Sequence, residues 1–164
     1  MEATREGGYT HLRYVSGMLV YFVFSQQPEI GLDWEACNAH ARRFFALKLS
    51  GPAEGGRVTV TSLDGEEPPA ERSVTARAAT PEDHALALEA ETRMGGGGLS
   101  MLARRCATLW IVERRREADP DVAALRIAAV LASVLLGPIV DPAGPEIFGV
   151  KTARLKLERA AASR

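Results

Sequence analysis

Asp119-Pro-Asp-Val-Ala-Ala-Leu-Arg-Ile-Ala-Ala-Val-Leu-Ala-Ser-Val-Leu-Leu-Gly-Pro-Ile-Val140 is the longest apolar run in the chain, and it carries its own start and stop signals. Asp119 is placed to cap a helix, its carboxylate accepting from the open N–H groups of the first turn. Pro120 suits the first helical position, where a missing N–H is no loss. Asp121 adds negative charge at the positive end of the helix dipole. Gly137-Pro138 ends the run. Beyond Val122 the one charged residue before that break is Arg126, so the helix is apolar nearly all round and should be buried on more than one side. A membrane span needs about 20 uninterrupted apolar residues. The uninterrupted part, Ile127 to Leu136, is far shorter, and the segment reads as a core helix.

The surrounding chain fits one domain, 1–164, with a loose polar segment at 1–8. Its 164 residues are 46% hydrophobic and 25% charged, ordinary for a globular protein. A formal net charge of -1 and 6% aromatic residues argue against a nucleic-acid binder. Met1 to Arg13 lacks the apolar core of a signal peptide. Cys37 and Cys106 have no metal-ligand spacing. A reducing, cytoplasmic setting with two buried thiols is the expectation.

Met18 to Phe24 is a run of β-branched and aromatic residues without alternation, which predicts a strand buried on both faces. Asp33 to Phe45 predicts an amphipathic helix with Trp34, Cys37, Ala41 and Phe44 on one stripe. Arg42 and Arg43 lie at its end, where positive charge suits the dipole. Ser50 to Gly56 reads as a loop by composition. Arg57 to Ser62 alternates around Val58 and Val60 and predicts a strand, with Ser73 to Arg77 returning after a turn at Asp64-Gly65. Thr80-Pro-Glu-Asp83 carries the capping-box pattern and opens a helix to about Arg93. Gly95 to Gly98 ends it, a short helix follows over Leu99 to Arg105, and Thr108 to Glu113 predicts a strand. Asp141 to Glu146 is an ordered loop by its two prolines, and Ile147 to Glu158 is an edge strand or short helix. The order β-α-β-β-α-β is that of the ferredoxin-like α+β arrangement, an antiparallel sheet with helices on one face. The long apolar C-terminal helix is then an addition, covering the open sheet face or forming the surface through which two chains meet.

Few residues suggest chemistry. His11, His40 and His84 lie in separate segments with no zinc-binding spacing, so no metal site is expected. Cys37 and His40 are three apart on one helix, but Cys37 is on the core stripe, where burial suppresses thiolate formation. Ser62 and Ser100 lack a nucleophile-elbow context. Arg104-Arg105 and Arg114-Arg-Arg116, joined by Lys151, Arg154, Lys156 and Arg159, offer basic patches for an acidic partner, diluted by Glu113, Glu117 and Asp119.

Arg93-Met-Gly-Gly-Gly-Gly98, followed by Leu99 to Arg105, resembles the R/Q-x-x-G-x-G/A loop of the GNAT family of N-acetyltransferases. The resemblance implies that Arg93, Gly96 and Gly98 mark a loop whose N–H groups hold the pyrophosphate of acetyl-CoA, the anion-binding geometry of a glycine-rich turn into a helix. In that family a strand precedes the loop, whereas Ala85 to Glu91 consists of strong helix formers.

The resulting expectation is a non-catalytic cytosolic α+β module that binds another protein or a second copy of itself, without membrane or nucleic-acid partners. The alternatives are an acetyltransferase-like enzyme using acetyl-CoA, and a small immunity or regulatory partner protein.

Overall fold

The computed structural model describes residues 19–65, 67–116, 118 and 120–163. The expectations for 1–8, His11, Met18, Glu117 and the Asp119 cap lie outside them. Among the described residues the chain forms a mixed α+β fold, with one antiparallel seven-stranded sheet and five α-helices. The strands are β1 (Leu19–Ser25), β2 (Leu47–Ala53), β3 (Arg57–Ser62), β4 (Ala70–Ala78), β5 (Thr108–Arg114), β6 (Ile139–Asp141) and β7 (Glu146–Phe148). The helices are α1 (Trp34–Phe45), α2 (Pro81–Arg93), α3 (Leu99–Arg104), α4 (Val122–Leu135) and α5 (Val150–Ala162).

The strand order is β2-β3-β4-β5-β1-β6-β7. It departs from the expected four-stranded ferredoxin-like arrangement in two ways. Three further strands are present, and helices cover both faces. Alternate residues of β1 separate the two layers, as a strand's period of two dictates. Tyr21 and Val23 face a core shared with α1, α4 and α5, whereas Val20, Phe22 and Phe24 face one shared with α2 and α3. The expected double-sided burial of β1 is what the sheet shows.

The apolar helix α4 is core. Ala123 to Ala132 is buried apart from Arg126, which is part-buried and pairs with Glu67 at 2.9 Å. Five alanines in it let the sheet and the flanking helices approach closely. Its cap corrects the expectation: Asp121, not Asp119, accepts from Ala124 N–H, and Pro120 precedes the cap. Nor is it the C-terminal helix, since β6, β7 and the charged helix α5 follow it. Gly137 is required at its end, because a Cβ there would lie 1.8 Å from the Phe24 carbonyl oxygen. No helix among the described residues is long and apolar enough to cross a membrane.

Three strands beyond the expected four were obscured in sequence, one by its composition and two by their length. β2 runs through Gly51-Pro52, expected as loop, because proline is tolerated on an edge strand. β6 and β7 form a hairpin of three residues a side around Asp141 to Glu146, too short for any periodicity. One N–H on each sheet edge is taken by a side chain. Asn38 Oδ1 accepts the Leu49 N–H of β2 at 2.8 Å, and the Met94 sulfur accepts the Ile147 N–H of β7 at 3.3 Å. Such contacts disfavour edge-to-edge pairing at those positions.

Candidate functional site

The glycine loop comes first, because it carried the most specific expectation. The capping box at Thr80 and Asp83 starts α2, and the helix runs unbroken through Arg93. The residues before the loop are therefore a helix, not the strand that the acetyltransferase resemblance requires. Gly95 to Gly98 all have positive φ and lie in open space. The Glu91 carboxylate fills the position an anion would take: it accepts from Ser100 N–H and from Ser100 O–H, each at 2.8 Å. The Ser100 N–H, the Ser100 hydroxyl and the N–H groups of Gly98 and Leu99 hold its pKa below the usual carboxylate value. The N–H groups at the start of α3 are thus engaged by the chain's own carboxylate, and Arg93 is exposed at the end of α2.

The histidines and thiols are engaged structurally. Burial, and secondarily Asp33, push the Cys37 thiol up to about 11, and burial does the same for Cys106. Neither is a ready nucleophile. His40 turns from Cys37 to Ser133, with Nε2 and Oγ 2.8 Å apart, tying α1 to α4. No carboxylate orients its ring, and Ser133 sits inside a helix whose N–H groups are used, so the pair lacks an oxyanion-binding site. His84 Nε2 lies 3.1 Å from the Cys106 carbonyl and its ring stacks near Phe24. Ser62 accepts from Gly65 N–H. Among the described residues no group of His, Cys, Asp and Glu could hold a metal ion.

Two buried aspartates form a device that sequence reasoning missed in part. Asp121 accepts a two-pronged bond from Arg72 of β4 (2.8 and 2.9 Å) and also the N–H groups of Arg115 and Ala124. Asp83 accepts from Arg77 of the same strand (2.6 and 3.0 Å) and from Thr80 N–H. In both, burial alone raises the pKa, and the arginine bond together with the backbone N–H groups overrides it and holds the carboxyl low. Each ties a helix start to the sheet. Only the capping half was legible in sequence.

A cleft of about 620 Å³ runs between α5, the β6–β7 hairpin and the approach to α4. Two of the cations that line it are paired with carboxylates in it. Arg114 donates to Asp141 at 2.6 Å and lies over the Tyr21 ring, while Lys156 donates to Glu146 at 3.0 Å and lies over Phe148. The expected basic cluster of Arg114 with Lys156 is therefore neutralised. Arg104 and Arg105 are exposed at the end of α3, on the other side of the sheet.

Several other cations stand where α1 ends against α5. Phe44, expected on the core stripe, is 49% exposed, and the last turn instead packs Phe45 inward. Arg154 of α5 lies over the Phe45 ring at 4.1 Å and donates to the Phe44 carbonyl at 2.7 Å. Arg43 lies over the Phe44 ring at 5.1 Å, and the His40 ring sits 4.7 Å from it. Arg42 and Lys151 are exposed one residue and one turn away. None of these four cations is in an ion pair among the described residues. Burial, and then the charge of Arg154, hold the His40 pKa below its usual value.

Comparison of the chain with protein-family models, with curated proteins and with solved structures finds no match.

Proposed function

We propose that this protein is a non-catalytic, cytosolic interaction module that works by binding another protein through the surface where α1 meets α5. One observation carries the reading: Phe44 is half exposed at a helix end, beside Arg43 and Arg154, which have no ion pair among the described residues. An exposed aromatic among arginines is the composition enriched in protein contact surfaces. The side-chain contacts at both sheet edges support a helical surface over strand addition. The engaged histidines, thiols and aspartates support binding over catalysis, and the two unpaired, buried thiols suit a reducing compartment. A homodimer through α4, the other form of this expectation, loses its motive because α4 is covered within one chain. A role as a small immunity or regulatory partner is one case of such binding.

The test is photo-crosslinking in the native cell, with a photoreactive amino acid placed at Phe44 or, as control, at Glu89 on the opposite helical layer. A discrete protein adduct from position 44 and none from 89 is expected. Equal labelling at both positions, or none at 44, overturns the proposal.

A further inference from the structure

We infer that the α1–α5 surface docks an acidic protein segment carrying an apolar side chain, which Phe44 receives while Arg43, Lys151 and Arg154 face its carboxylates. This rests on the interaction reading above and adds the chemistry of the partner.

The charges decide it. Arg43, Lys151 and Arg154 stand here without an ion pair among the described residues, while Asp64 and Glu158 line the shallow groove that Arg154 also lines. Arg43 and Arg154 sit over aromatic faces rather than over acids, and the charge of Arg154 adds to burial, the larger cause, in holding the His40 pKa below its usual value. Arg154 is held by its ring contact and by one N–H donated to the Phe44 carbonyl, and a guanidinium so placed suits binding of carboxylates with its other N–H groups. The half-exposed Phe44 ring supplies the apolar contact.

Other polyanions fit less well. The whole chain carries a net charge of -1, so no long-range field gathers nucleic acid, and a single half-exposed ring is no stacking platform for bases. A membrane surface would need an amphipathic face with a broad apolar strip, whereas the outward face of α5 alternates Lys151, Arg154, Leu155 and Glu158.

The experiment measures fluorescence anisotropy of a labelled, glutamate-rich peptide with one central leucine, titrated with the full chain. Saturable binding that weakens with salt is expected. Arg43→Glu and Lys151→Glu should each weaken it about tenfold, as like charges brought together do. Phe44→Ser should weaken it with little change in thermal midpoint, since the ring is exposed. The double reversal of Arg104 and Arg105 to Glu, which changes net charge more, should leave binding intact. No peptide binding, equal loss from the Arg104 and Arg105 reversal, or tighter binding of a single-stranded oligonucleotide or of phosphatidylserine vesicles overturns the inference. If the peptide fails while the position-44 crosslink forms, the acidic chemistry falls and the interaction module stands. If both fail, both fall.

Discussion

The two faces of the sheet use the same fastening at different depths. On one face, α1, α4 and α5 bury large aliphatic side chains (Leu125, Ile127, Leu131 and Leu135 among them), and Asp121 meets Arg72 with side chains only 1% and 8% exposed. On the other, α2, α3 and the residues just after α3 contribute mainly Ala87, Ala90, Ala103 and Cys106, and the Arg77 that meets Asp83 is 28% exposed. Both arginines stand on β4, on opposite faces by their odd spacing. A thick apolar layer thus makes its ion pair indispensable, because water cannot replace a lost partner there, while a thin layer leaves its pair partly solvated.

The sharpest way to break this comparison is Asp121→Ala. It strands the Arg72 charge in the core and removes the α4 cap, so a loss of about 4 kcal/mol is expected from urea unfolding. Asp83→Ala removes the matching cap where Arg77 can still reach water, and about 1–2 kcal/mol is expected. Equal losses would show that depth does not control these pairs. The pH dependence follows from the same groups. Both carboxyls are held below their ordinary value of 3.8, so their contribution is fully present above that pH. It is lost as pH falls through the lower folded values. The urea midpoint should therefore drop below about pH 4, and Asp121→Asn should flatten that drop more than Asp83→Asn.

Much of this asymmetry was legible in the chain. The apolar run of α4 announced its own burial, the unalternating β1 announced two covered faces, and Thr80 to Asp83 marked the start of α2 to the residue. What was not legible depended on partners far away in sequence. Asp119 read as the cap and Asp121 only as charge at the dipole, whereas Asp121 caps α4 and is held by Arg72, 49 residues away. β2 hid behind Gly51-Pro52 because an edge strand needs few of the N–H groups that proline lacks. The ferredoxin-like expectation failed because strands of three residues, β6 and β7, carry no period to detect. The candidate surface was misread for a similar reason. Helical spacing put Phe44 on the core stripe, but α1 ends one residue later with Ala46 at φ 53°, and the neighbouring Phe45 takes the buried position.

A smaller effect tests whether the thin layer also opens more readily. Cys37 lies under the thick layer and Cys106 under the thin one, and both thiols are buried and pushed up to about 11. Reaction with a thiol reagent must then proceed through local opening, and segments with few buried apolar contacts open at lower free energy. Cys106 should be labelled first in mass-spectrometric time courses below the urea transition. Cys37 reacting first would reverse the assignment of the weaker face.

The smallest effects belong to the glycine loop on that thin face. A Cβ at Gly96 meets nothing, yet its φ of 98° is unfavourable for alanine, so Gly96→Ala should lower stability by about 1 kcal/mol and leave the fold unchanged. Acetyl-CoA bears on the same loop. A ligand present at 100 times its Kd stabilises the folded state by about 2.7 kcal/mol, which a thermal scan resolves readily. With Glu91 already bonded to the Ser100 N–H and hydroxyl, and with a helix in place of the preceding strand, no shift in melting temperature is expected at millimolar acetyl-CoA. Glu91→Gln keeps the shape and removes the charge that would repel a pyrophosphate. A clear stabilisation by acetyl-CoA in wild type, abolished by Gly96→Ala, would make the loop an acyl-CoA site after all. A shift appearing only in Glu91→Gln would show that the carboxylate alone keeps such anions out.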